Sequence, residues 1–240
     1  MAAGSDTLKH RPRRLAGVAT GRFGLGLLIS LVGPSIGADA LPACIALAQG
    51  ETIEAAVRRQ DPPPRELLAR LAHAEGRSTG HPDDPLVYQG IAWGVMNRVR
   101  LGERSPTMRR RYGDGLAGVI FRKGQFNPAV SPRSQFSREM LCPTDARTWG
   151  MAEAAAAVAL AGDDDNPFVQ TEWERRHGLS LVVNFYYPDS VQARGPLAPW
   201  EGDGGVRFVG GLALGGGILP PDRIRFYRLT APPGDIAPGP

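Results

Sequence analysis

Between Asp84 and Gly102 the residues Tyr88, Ile91, Ala92, Val95, Met96 and Val99 recur at the spacing of one helical face, a pattern that argues for a core helix ending near Gly102. Asp84 and Pro85 supply its start, an N-cap acid followed by proline in the first turn. Residues 143–161 are alanine-rich, include Trp149 and Met151, and stop at Gly162 and the acidic run 163–165, which predicts a second long helix. Leu116 to Phe121 predicts one or two further helical turns, closed by Lys123 and Gly124. The pattern then changes. Residues 181–187 are β-branched and aromatic and end at Pro188, and residues 206–209 and 223–229 read as two more strands among glycine-rich turns. The expected class is α+β, mainly helical.

A further short helix, Arg65 to Ala74, follows Asp61-Pro62-Pro63-Pro64 and leads into Glu75 just before Gly76. Leu67, Leu71 and Glu75 are four apart and stack on one face, the face that looks into the protein. A carboxyl held against leucines has its charged form disfavoured, so its pKa rises and it can keep a proton near neutrality, as a general acid must.

The 240 residues allow one domain plus a leader. Lys9, Arg11, Arg13 and Arg14 precede a short apolar stretch, and Ala38-Asp39-Ala40 has the small-x-small form of a signal-peptide cleavage site. The expected organisation is a signal peptide over 1–40, a linker over 41–64, one catalytic domain over 65–230 and a disordered tail over 231–240. Export to the periplasm or cell envelope follows. Arg13-Arg14 as a twin-arginine signal and Leu41-Pro42-Ala43-Cys44 as a lipidation box are weaker alternatives, the latter tethering the protein through Cys44. The net charge of +4 sits largely in the leader: beyond residue 40 there are 23 basic and 22 acidic residues, so nucleic acid is not implied as a partner. The local cluster Arg109-Arg110-Arg111 reads as a solvated turn or helix end. Two cysteines, Cys44 and Cys142, exclude a dense disulfide framework and a thiol-rich metal cage but allow one bridge in an exported protein.

Several motifs carry less than they suggest. Gly76-Arg77-Ser78-Thr79-Gly80 has the letters of a nucleophile elbow, yet a helix precedes it where a strand is needed. His73-Ala74-Glu75 resembles the proton-transfer pair of zinc deaminases but lacks the paired thiolates. His81, Asp83 and Asp84 lie in a polar loop without a fourth ligand. No metal or organic cofactor is suggested. More informative are Gly124-Gln125-Phe126-Asn127-Pro128, a loop able to hold a sugar through its amide and its ring, and Asn184-Phe185-Tyr186-Tyr187. In the latter the pleat sends Asn184 and Tyr186 to one side, expected to line a cleft, and Phe185 and Tyr187 to the other.

Taken in order, Leu68-Ala69-Arg70-Leu71-Ala72-His73-Ala74-Glu75, then Val95-Met96-Asn97-Arg98-Val99, then Gly118-Val119-Ile120-Phe121 with Gly124-Gln125-Phe126, then Asn184-Phe185-Tyr186, resemble the spore-cortex-lytic type of bacterial cell wall hydrolase, the SleB family. The resemblance runs from about Glu66 to Leu229. It implies a lysozyme-like single catalytic domain, a small antiparallel sheet beside the cleft, Glu75 as the catalytic acid, and peptidoglycan glycan strands as substrate. The family commonly has histidine at position 184 and asparagine at position 187, where this chain has Asn184 and Tyr187. Residues 163–179 and 212–221 are longer than usual and are expected to border the groove.

The resulting expectation is a monomeric lytic transglycosylase or muramidase, with Glu75 as general acid and base, Gln125, Asn184 and Tyr186 orienting sugar groups, and Phe126 against a sugar ring. Ordinary hydrolysis usually needs a second carboxylate; Glu103, Asp114 and Asp189 are candidates without distinctive context. The alternatives are an amidase that frees the stem peptide, for which no zinc ligand set is evident, and a non-catalytic peptidoglycan-binding envelope protein.

Overall fold

A computed structural model describes residues 40–162, 166–210, 212–214 and 217–236; the expected signal peptide lies outside them. Nine helices and five short strands make up these residues, with the helices leading and the strands following. The helices are α1 (Ile53–Gln60), α2 (Pro64–Ser78), α3 (Pro85–Arg104), α4 (Pro106–Tyr112), α5 (Gly115–Ile120), α6 (Asn127–Val130), α7 (Ser137–Leu141), α8 (Ala146–Ala161) and α9 (Glu172–His177). The strands are β1 (Val182–Tyr186), β2 (Val206–Phe208), β3 (Leu212–Leu214), β4 (Gly217–Leu219) and β5 (Arg225–Leu229). β5 pairs antiparallel with β1 on one side and β2 on the other, and β3 and β4 form a separate hairpin. The chain is a mainly helical α+β domain.

α2 is the axis of the helical layer. It packs against α8, α7 and α3, and every residue from Leu67 to Gly76 is buried. Full burial of Leu68 and Leu71 contributes about 1.5–3 kcal/mol each. The helix does not stop before Gly76 as the sequence suggests but continues to Ser78. Gly76 is a contact, not a terminator: a β-carbon there would lie 2.3 Å from Cε1 of Tyr88 on α3, so its absence lets the two helices meet.

α3 follows the sequence closely. The Asp84 carboxylate accepts from Leu86 N, and the helix runs to Arg104. Gly90 and Gly94, one turn apart, open its surface to the sheet: β-carbons on them would fall 2.3 Å from the Phe226 ring and 2.8 Å from the Phe185 ring. The ring of Phe226 on β5 and the ring of Phe185 on β1 seat there, with centroids 6.3 Å apart. α8 is capped by Asp145, which accepts from Arg147 N and Thr148 N, and ends at Gly162 in the left-handed region.

Two boundaries differ from expectation. Residues 44–60 are part of the domain, not a linker: Ile45, Ile53, Ala56 and Val57 are buried, Cys44 is disulfide-bonded to Cys142, and Ile45 N donates to Leu141 O. Buried Arg70 ties the residue before that segment to the end of α7, donating to Ala43 O at 2.6 Å and Leu141 O at 2.9 Å. The disulfide supplies the anchoring that a short, charged helix lacks by itself. The described part of the tail is also ordered, because Asp235 accepts from Ser105 Oγ and from Thr107 N at 2.8 Å, capping α4, while Ile236 packs on the core. Among the described residues no helix is long and apolar enough to cross a membrane.

Candidate functional site

Glu75 lies near the C-terminal end of α2 and is 6% exposed, its remaining surface opening into a cavity of about 190 Å³. Three stretches of chain wall that cavity. α2 gives Glu75 and Ser78; the turn entering α6 gives Gly124, Gln125, Asn127 and Pro128; the end of β1 and the loop after it give Phe185, Tyr186, Tyr187, Ser190, Gln192 and Ala193. Phe136, just before α7, closes one side. Among the described residues Glu75 is the one carboxylic acid lining it.

Burial pushes the Glu75 carboxyl up from 4.5 to about 7. The Tyr187 hydroxyl, and then the charge of Arg98, pull the other way and limit the rise. That hydroxyl is buried and makes no hydrogen bond of ordinary geometry, so its hold on Glu75 is loose and it remains open to a further partner. The carboxyl therefore divides between its two protonation states near neutrality.

Arg98 stands in the segment Val95-Met96-Asn97-Arg98-Val99 without any mark of its own, yet its buried guanidinium donates from Nε to Val183 O and from Nη1 to Gln125 Oε1, both at 2.6 Å. It also lies over the rings of Phe126 at 4.8 Å and Phe185 at 5.3 Å. Burial lowers its pKa to about 10 while Tyr112, Tyr187 and Glu75 oppose that shift, and it stays a cation at neutral pH. Next to it, Asn97 Nδ2 donates to Val182 O at 2.8 Å. The two side chains thus hold consecutive carbonyls of β1 where its register with β5 shifts between Val182 and Asn184.

Phe185, Tyr186 and Tyr187 line the cavity and Asn184 does not, which corrects the expectation that Asn184 and Tyr186 line it together. Phe185 and Tyr187 lie with their rings 5.7 Å apart, while the Tyr186 hydroxyl accepts from Arg194 N and donates to Gly195 O. Gln125 lines the cavity with its oxygen already taken by Arg98, which leaves its amide hydrogens for a ligand. Phe126 is 1% exposed and packs against Phe185; it builds the wall from behind and does not offer a ring face to the cavity.

The possible second carboxylates lie elsewhere. Glu103 is exposed at the end of α3, Asp114 pairs with Arg109 at 3.4 Å, and Asp189 pairs with His81 at 3.0 Å. The polar loop is a set of ion pairs, with Asp83 bonded to Arg147 and Asp84 to Arg223. His73 does not line the cavity; its Nε2 is 3.0 Å from Thr148 Oγ1 and its pKa is lowered to about 4 by burial. The described residues of the two long segments expected at the groove do not line it either. In the first, α9 is opened by a Thr171–Glu174 capping box, and buried Glu174 receives Leu181 N and Arg228 Nε; in the second, β3 and β4 pair with each other. No family model, curated protein or solved structure matches the chain.

Proposed function

We propose that this protein is an exported lytic transglycosylase of lysozyme-like fold that cuts the glycan strands of peptidoglycan. The observation that carries the reading is a single buried carboxyl whose pKa is raised to about 7, alone among the carboxylic acids of the described residues in lining its cavity. Protonated Glu75 gives its proton to the glycosidic oxygen, the bond from that oxygen to C1 breaks, and the leaving sugar departs as an alcohol. Positive charge develops at C1. The carboxylate then takes the proton of the substrate's own 6-hydroxyl, whose oxygen closes on C1 to give a 1,6-anhydro ring and restores the acid. One group performs both transfers, so a second carboxylate is unnecessary.

Tyr187 and Arg98 stabilise the carboxylate between the two transfers, and their opposition to burial sets Glu75 near neutrality. Gln125, held by Arg98, offers amide hydrogens to sugar oxygens, and Phe185 and Tyr186 supply apolar surface for a ring face. The Cys44–Cys142 bond supports an oxidising compartment.

Mass spectrometry of digested sacculi tests the proposal. Anhydro ends are expected with the native protein, and Glu75→Gln should lower their release by about a hundredfold or more. Reducing ends would identify hydrolysis, freed peptides an amidase, and an absence of any product would overturn the enzymatic reading.

A further inference from the structure

A second concavity, of about 550 Å³, lies on the other side of the turn that carries Phe136. Phe136 lines the Glu75 cavity, whereas its neighbours Gln135 and Ser137 line this one. Its apolar lining comes from buried Ile53, half-buried Leu141 and exposed Leu47, and it also carries Arg133 and Arg138. Both arginines are exposed. Among the described residues neither makes an ion pair or a side-chain hydrogen bond, and no acid lines the pocket. Two unpaired guanidiniums beside an apolar lining match a small ligand that carries carboxylates and methyl groups together.

The pocket is assembled from distant parts of the chain. Leu47 and Ile53 come from the segment that the Cys44–Cys142 bond fastens beside α7, and Leu141, next to that second cysteine, receives Ile45 N through its carbonyl. Without the fastening, the apolar lining has one side.

We propose that this pocket is a subsite for the short acidic peptide borne by the glycan strand, so that the enzyme selects strands that still carry their peptides. The inference rests on the glycan-cleaving function proposed above. Its grounds are charge complementarity and the single turn shared with the Glu75 cavity: a strand seated at Glu75 can lay a peptide across Phe136 toward Arg133 and Arg138.

The test compares intact strands with the same strands stripped of peptide, using the native protein and the double variant Arg133→Gln, Arg138→Gln. Two exposed ion pairs correspond to a change of about tenfold. The native protein should favour intact strands by about that factor in kcat/KM, through KM, and the double variant should lose the preference while cutting stripped strands at the native rate. Equal native rates on both substrates, or an equal loss on both in the variant, would overturn the subsite. Calorimetry with L-alanyl-D-glutamate, which has two free carboxylates, decides the pocket independently of turnover. Native binding that the double variant weakens by about tenfold is expected, and identical behaviour of the two proteins refutes the proposal. Native protein that cleaves neither strand would instead count against the function assigned to Glu75.

Discussion

Replacing Glu75 by glutamine should stabilise the protein at alkaline pH, because the native fold holds this carboxyl against its preference for charge. In the unfolded chain the group has its ordinary value of 4.5, and folding raises it to about 7 through burial. The folded state therefore binds the proton more tightly. Its contribution to stability is fully present below pH 4.5, declines as pH rises from there through about 7, and is absent above. At 1.36 kcal/mol for each tenfold change in proton affinity, the whole decline amounts to about 3 kcal/mol. Glutamine has nearly the same shape and no proton to lose. Urea unfolding of both proteins at about pH 4 and about pH 8.5 isolates the effect as the change in their difference, since every other titrating group is common to both. Glutamine should gain on the native residue by about 3 kcal/mol between the two conditions. A difference that stays constant with pH, or one that moves in favour of the native residue, would refute the claim that Glu75 is buried with a raised pKa.

Tyr187→Phe removes the hydroxyl that lowers the Glu75 pKa, so the acid should persist to higher pH and the alkaline limb of the rate profile should move up; an unmoved limb would separate Tyr187 from the acid. Reduction of the Cys44–Cys142 bond, or Cys142→Ser, frees a loop of sequence separation 98 and should cost about 2–4 kcal/mol in denaturant unfolding. Stability that is the same with and without reductant would mean that residues 44–60 are held by packing alone.

Helices with both a cap and a sustained apolar period are legible in the amino-acid sequence. Asp84 opens α3 and Gly162 closes α8 where the sequence puts those ends. α1 is not legible, since its eight residues include Arg58 and Arg59 and the segment leading into it is bonded through Cys44 to Cys142, far along the chain. Gly76 has the look of a stop because local sequence cannot reveal that Tyr88 fills the space of its missing side chain. Glu75 is marked by its spacing against leucines, and its burial agrees with that reasoning. The pleat sets Phe185 beside Tyr187 as the sequence suggests, but which of these residues reach the cavity depends on how α2 and the turn entering α6 meet the end of β1, which local sequence does not carry. Arg98 itself offers no signal beyond its motif. A buried arginine is recognised by its partners, and those lie 27 and 85 residues away.

That one guanidinium is bonded to Val183 on the sheet side and to Gln125 on the loop side, so the span of a rigid planar group gauges the distance between the facing borders of the cleft. Neither border can swing outward alone without stranding a buried donor or acceptor, a penalty of about 1–3 kcal/mol. Concerted breathing of the entrance is therefore favoured over motion of either border alone, and the coupling is held from α3, a helix with no residue of its own in the lining.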